Sequence, residues 1–367
     1  MSRSPALKFL LLVALWVSAQ TFAHHGPTTS AILYHTDDPV LLEGEITGVL
    51  WRNPHVRFRL SVVDEHGETI IWELETTVPS LLERAGVSKD LVRVGDQVKV
   101  AGYLSRFKSS SLGLRNMLLP DGREYAGTTT DLIWSTERVA RVPQQIDASR
   151  AETATQNADG IYRVWTRWAG QAFERPSQVA NIVVTTTGVG GETDGYDHLL
   201  TDEARAISAI YDPVDHPVLR CGPRGMPELM LTPAPIEIVA GDDQIVIHTM
   251  WPGPPRTIYM SENSAAASAP PTHLGYSVGN WENENTLVVT TSNVDWPYFD
   301  RSGTPQSDQV TFVERFIMNE DRTRLDYVAT ATDPVMFSAP VELTYYWAWV
   351  PGEAVPTNDC VQWEDQA

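Results

Sequence analysis

Pro79-Ser80-Leu81-Leu82-Glu83-Arg84-Ala85-Gly86 is the one short helical pattern in the first part of the chain. Proline suits the first turn of a helix, where its missing N–H costs nothing, and glycine suits the residue that closes one. Strand patterns lie on both sides. Val40-Leu41-Leu42-Glu43-Gly44-Glu45-Ile46-Thr47-Gly48-Val49, His55–Val63 and Thr69–Glu75 precede it; Gln97–Leu104 and Leu112–Leu119 follow, with Asp, Gly and Asn turns between them. Three strands, a helix and two strands is the order of an OB-like five-stranded barrel. A small β domain over 24–127 is therefore expected.

Outward from that unit, residues 128–157 are Thr-rich and then polar, and read as a linker with little structure of its own. A second domain, 158–367, opens with Gly160-Ile161-Tyr162-Arg163-Val164-Trp165 and is interrupted by a Gly- and Thr-rich stretch at 170–200. Thr201–Tyr211 reads as an amphipathic helix with Thr201 as its N-cap and acids in the first turn. Eight strand patterns follow: Ile236–Val239, Gln244–Met250, Arg256–Met260, Tyr276–Trp281, Thr286–Ser292, Gln309–Met318, Arg324–Thr332 and Val341–Trp349. Turns such as Gly241-Asp242-Asp243 and Asn319-Glu320-Asp321 join them. The chain is thus expected to be all-β, with the small barrel followed by a larger antiparallel β-barrel or sandwich, calycin-like in character.

Residues 1–23 have the form of a secretory signal peptide. Arg3 and Lys8 supply the positive start, Phe9 to Val17 the apolar middle, and Thr21 and Ala23 the small residues before a cut. The apolar run is far shorter than the roughly 20 residues a spanning helix needs. A periplasmic or secreted protein, with no stable membrane insertion after cleavage, is expected. The formal net charge is −20, and −22 without residues 1–23, because Arg3 and Lys8 leave and no acid does. Such a chain repels phosphate backbones, which argues against a nucleic-acid partner. Cys221 and Cys360 are the only cysteines. In an oxidising compartment an isolated pair becomes a disulfide, and neither has His or Cys neighbours at ligand spacing.

His24-His25, Trp51-Arg52-Asn53-Pro54-His55-Val56 and Leu119-Pro120-Asp121-Gly122-Arg123 together resemble a family of exported bacterial proteins of unknown function, the DUF6152 family, over residues 24–127. Its members pair a His-His start with an Asn-Pro-His turn. The second half resembles another uncharacterised β-rich exported module. The matching residues are Leu219-Arg220-Cys221, Gly225-Met226-Pro227, Gly275-Tyr276-Ser277-Val278-Gly279-Asn280-Trp281, Thr286-Leu287-Val288-Val289 and Val313-Glu314-Arg315. It departs from that module at Asn283-Glu284-Asn285, where an acidic Gly-Asp turn is usual. Neither resemblance implies an activity.

Three candidate sites stand out. Cleavage after Ala23 leaves the α-amino group and imidazole of His24 on one residue. With His25 or His55 they form a nitrogen donor set that suits copper best among the common divalent metals. The plainer reading is a polar chain start and a loop histidine. Gly275-Tyr276-Ser277-Val278-Gly279 matches the nucleophile-elbow pattern of serine hydrolases, but that motif needs a helix after it, and here a turn and a strand follow.

The third candidate is the interior of the second barrel. Trp165, Tyr259, Trp281, Phe316, Tyr327 and Trp347 would give it an aromatic wall. Arg163, Arg220, His248, His273, Glu282, Glu314 and Arg315 would give it polar groups. Glu314 and Arg315 are adjacent on one strand, so one of them points inward and needs a partner. The plainer reading is an aromatic core with a buried acid–arginine bridge.

Two functions remain open from the sequence. One is a carrier of a small apolar or amphipathic molecule, with Arg163, Trp165, Arg220, Tyr259, Trp281 and Arg315 as ligand contacts. The other is an enzyme: an isomerase- or lyase-type acid–base step using His248, His273 or Glu314, or a copper-dependent oxidation at His24.

Overall fold

The computed structural model describes residues 33–53, 55–84, 86–127, 131–139, 146, 148–166, 196–212, 215–232, 234–262, 266, 268–356 and 360. The proposed signal peptide, His24 and His25 lie outside the described residues. Among the described residues no helix is long and apolar enough to cross a membrane.

The first domain contains β1 (Val40–Leu50), β2 (Arg57–Val63), β3 (Thr69–Glu75), the helix Pro79–Arg84, β4 (Gln97–Leu104), β5 (Ser111–Leu118) and a short β6 (Glu124–Ala126). The strands pair in the order β3-β2-β1-β4-β5, and a parallel β3–β5 contact closes them into the five-stranded barrel the helix position foretold; β6 extends β5. Gly86 closes the helix at φ +76°. Alternation decides what fills the barrel: Ile46, Phe58, Leu60, Leu74, Val98, Val100, Leu112 and Met117 are buried together, with Leu82 from the helix among them. Gly44 is required where β1 and β2 come closest, because a Cβ there would sit 2.1 Å from the Ser61 carbonyl oxygen.

The second domain is a closed nine-stranded barrel. Its strands are β7 (Val164–Thr166), β8 (Ile236–Ala240), β9 (Gln244–Thr249), β10 (Arg256–Tyr259), β11 (Tyr276–Asn283), β12 (Thr286–Ser292), β13 (Thr311–Met318), β14 (Arg324–Thr332) and β15 (Val341–Trp349). They run β10-β11-β12-β13-β14-β15-β7-β8-β9 and back to β10, antiparallel everywhere except β10–β11. The expected helix lies between β7 and β8 and runs over Asp202–Ala209, with the Thr201 hydroxyl accepting the Ala204 N–H.

The two ends of this barrel differ. At one, tight turns join β8 to β9, β11 to β12 and β13 to β14. At the other, long segments cross: 196–235 leading into β8, 250–255, 293–310 and 333–340. These segments bury Met226, Met230, Phe299 and Phe337 in the same core as Trp165, Phe316, Tyr327 and Trp347. The stretch 128–157 has an element of its own among the described residues. It contains the helix Ala148–Gln156, and a Cβ on Gly352 would lie 2.9 Å from the Ala151 nitrogen. This helix buries no residue, which is why hydrophobic periodicity did not announce it.

Candidate functional site

The looped end of the second barrel carries a buried cluster of charged and aromatic side chains. It is built first by the segment 216–231. His216 caps the 3-10 turn Pro217–Arg220, its Nδ1 accepting the Val218 N–H at 3.4 Å. A neutral imidazole bonded that way carries its proton on Nε2, and Nε2 lies 3.4 Å from Glu228 Oε2. Cys221 follows in the left-handed conformation and forms a disulfide with Cys360. Arg224 and Glu228 are four residues apart and joined by a hydrogen bond. Gly225 between them is obligatory, since a Cβ would sit 2.2 Å from Trp296 Cγ.

The loop 293–310 closes over this segment. Arg301 donates from Nε to Glu228 Oε1 at 2.6 Å. Gln306 ties the two segments together, its amide nitrogen donating to the carbonyls of Met226 and Trp296 at 2.7 and 2.6 Å. Tyr298 packs on His216, Trp296 and Tyr211 with ring centroids 4.7, 5.3 and 5.8 Å apart. Trp251 lies under the Arg224 guanidinium at 3.8 Å. His273 is 6.3 Å from Trp296, and its carbonyl accepts the Met226 N–H. His216, Arg224, Glu228 and Trp296 are buried, while Tyr211, Trp251, His273, Tyr298 and Arg301 are half-buried around them.

Burial pushes the Glu228 carboxyl up, but Arg224, Arg301 and His216 together outweigh it and hold it at about 2. Burial, helped by Arg301, pulls Arg224 down to about 9, and burial lowers His216, so its imidazole is neutral near pH 7. Burial raises the Tyr211 phenol. Six buried polar atoms of the cluster have no hydrogen-bond partner among the described residues: Tyr211 Oη, His216 Nε2, Arg224 Nε, Glu228 Oε2, Trp296 Nε1 and Gln306 Oε1. Buried polar groups are ordinarily bonded, so their concentration in one place makes this end of the barrel the candidate site.

Below the cluster, inside the barrel, Arg256 and Glu314 form a two-pronged pair. Tyr327 Oη and Thr291 Oγ1 both donate to Glu314, at 2.8 and 2.7 Å. Ser277, the serine of the Gly-x-Ser-x-Gly run, belongs to this network and bonds Thr291 and Arg256. It starts a strand, not a nucleophile elbow.

The structure scatters the sequence candidates. Glu314 points inward, and Arg315 outward to Glu282 on the barrel surface. Of the proposed proton-transfer groups, His273 is at the rim of the cluster and Glu314 is locked in the bridge. His248 is exposed on the outer face of β9, because Ile245 and Ile247 take the inward positions of that strand. Tyr259 faces outward beside Tyr276 for the same reason of parity with Ile258. Arg220 is exposed next to Asp215. None of His248, Tyr259, Arg220 and Arg315 lines the interior. Trp165 is core, Arg163 stacks on Trp349 at 4.3 Å, and Trp281 is 6.4 Å from Tyr162. These three lie toward the tight-turn end, away from the cluster. His216, Arg224, Glu228 and Arg301 were not singled out. Only the Gly225-Met226-Pro227 motif flagged one of the segments that carry them.

In the first barrel, His55 Nδ1 lies 2.6 Å from Glu75 Oε1, and Arg57 Nε donates to Glu75 Oε2 at 3.0 Å. Burial pushes Glu75 up, but His55, Arg57 and the Tyr34 hydroxyl outweigh it and hold the carboxyl at about 2. An ionised carboxylate only accepts, so His55 Nδ1 carries a proton, and it is Nε2 that bears the lone pair in the neutral ring. Among the described residues no group of three or more His, Cys, Asp or Glu is placed to hold a metal.

Residues 12–114 match the model of a family described as a family of unknown function, DUF6152. The resemblance read from the first domain is thus found independently, and the second barrel lies beyond it. No curated protein and no solved structure matches the chain.

Proposed function

We propose that the protein is exported and holds a small amphipathic molecule at the looped end of its second barrel. The observation that carries this reading is the group of buried, partnerless polar atoms on His216, Arg224, Glu228, Trp296 and Tyr211 under a collar of half-buried aromatics. Ligand sites have this composition, an apolar wall with a few polar groups fixing orientation. Catalysis is less well supported there. His216 has Nδ1 accepting from the backbone and its proton on Nε2, which leaves a donor but no basic ring nitrogen for a substrate. The disulfide and the signal-like residues 1–23 support passage into the periplasm or beyond.

The test is native mass spectrometry of protein exported with its own residues 1–23, compared with the mass after denaturation. A released small molecule, lost from a Trp296→Ala variant that still folds, supports the carrier. A bare protein that also takes up nothing from an extract of its host counts against it.

A second reading concerns the first barrel, where Glu75 orients His55 with Nε2 free, the usual setting of a metal-binding histidine. We propose that His55 joins His24 and His25 at a copper ion. Metal analysis and electron paramagnetic resonance of the processed protein decide this. Near-stoichiometric copper with nitrogen splitting, lost in His55→Ala, is expected. No uptake from supplied copper removes the site.

A further inference from the structure

The partnerless atoms of the cluster are mostly donors. His216 Nε2, Arg224 Nε, Trp296 Nε1 and Tyr211 Oη can all give a proton to a bond, against only Glu228 Oε2 and Gln306 Oε1 as acceptors. The His216–Glu228 approach at 3.4 Å absorbs one of each at best. A ligand that completes the cluster must therefore bring acceptors.

Charge does not exclude an anion. Arg224 and Arg301 share the carboxylate of Glu228, so the three carry +2 − 1 = +1. Asp300, the other acid facing the cluster, accepts from the neutral Tyr196 hydroxyl, Ser302 N–H and hydroxyl and Thr304 N–H, bonds neither arginine, and brings the four groups to balance. Asp215 and Arg220 pair with each other at the exposed rim.

Arg301 is the accessible member. Among the described residues only its Nε is engaged, by Glu228, which leaves the terminal nitrogens of its fork. The Tyr211 ring lies against Gly303, two residues on from Arg301, where a Cβ would come within 2.1 Å of it. The overall charge of −20 opposes an anion only at long range, and screening confines that to about 8 Å in physiological salt.

Resting on the carrier reading, we infer that the ligand is a monocarboxylic acid with an apolar body. Its carboxylate is received by Arg301 and Tyr211, and its body lies against Trp251, Trp296 and Tyr298. A carboxylate offers about four lone-pair sites in one plane, which matches a guanidinium fork. The single negative charge meets the guanidinium of Arg301, whereas a phosphate dianion would bring a second, unpaired charge into a half-buried site.

Isothermal titration of the full exported protein with 4-phenylbutyrate, decanoate and their primary amides tests this. The acids bind at least tenfold more tightly than the amides. Arg301→Gln removes that preference, and Arg301→Lys, which keeps the charge and loses the fork, retains part of it; thermal melts check that both variants fold. Tyr211→Phe weakens the acids and leaves the amides unchanged. Acids and amides binding equally well overturns the carboxylate head and leaves the carrier reading intact. Inorganic phosphate competing better than the acids overturns it as well. Absence of binding by all four probes, with no native ligand seen by mass spectrometry, removes both readings.

Discussion

Arg256 and Glu314 meet inside the second barrel through two parallel bonds, Nη1 to Oε2 at 2.8 Å and Nη2 to Oε1 at 2.5 Å, with neither side chain reaching solvent. Two charges removed from water in this way are held by their geometry and by the hydroxyls around them. Breaking such a pair from one side leaves the other charge buried alone, which costs about 3–5 kcal/mol. Glu314→Ala is therefore expected to lower the free energy of unfolding in urea by that amount. The paired replacement Arg256→Met with Glu314→Leu costs much less. A stable Glu314→Ala protein would sink the structural role of the bridge.

Acid acts on the loop cluster. Glu228 is held at about 2 in the fold against an ordinary 4.5, so its contribution is complete above 4.5 and is lost as pH falls toward 2. The size is about 3 kcal/mol at about 1.4 kcal/mol per pH unit. His216 works in the same direction and starts earlier. Kept neutral by burial, it opposes a proton that the unfolded chain accepts near about 6.5. Stability should decline from about pH 6.5 downward, and the gap between the native protein and Glu228→Gln should shrink below about pH 4.5. A gap that does not change with pH contradicts the ionised pair.

The Cys221–Cys360 bridge ties the C-terminal tail to the segment that holds His216 and Arg224. It closes a loop across a sequence separation of 139 residues, and its removal is expected to cost about 2–4 kcal/mol. Melting curves of Cys221→Ser with Cys360→Ser, beside the native protein with and without reductant, check this. Equal melting temperatures would show that the tail contributes nothing.

Gly225→Ala forces a methyl into the Trp296 indole. Overpacking of this kind costs about 1–3 kcal/mol. The indole must move, so a shift in tryptophan fluorescence should accompany the lower melting temperature. Gly253→Ala, whose Cβ would sit at an ordinary 3.4 Å from Pro223, gives a useful contrast. It strains only the backbone, at φ +119°, and should leave the indole signal unchanged.

Much of the architecture was legible from residue order. The helix Pro79–Arg84 between β3 and β4 announced the small barrel, and turns such as Asn319-Glu320-Asp321 placed the hairpins of the larger one. The sequence left barrel and sandwich open, and strand pairing resolved that in favour of closure. The site was less legible. His248 and Tyr259 were attractive as isolated residues, and strand parity turned both outward. Arg224 and Glu228 were passed over inside a Pro- and Gly-rich stretch with no periodicity to interpret.

The division has a physical cause. Alternation, turn chemistry and a lone pair of cysteines act over a few residues or leave one partner to choose, so the sequence by itself determined the strands, the domain order and the disulfide. Which side chains meet across the barrel depends on register and on closure of the sheet. Only the tertiary structure could bring His216, Glu228, Trp296 and Arg301 to one rim, because segments far apart in sequence share that end only once β9 pairs with β10 and the ring is complete.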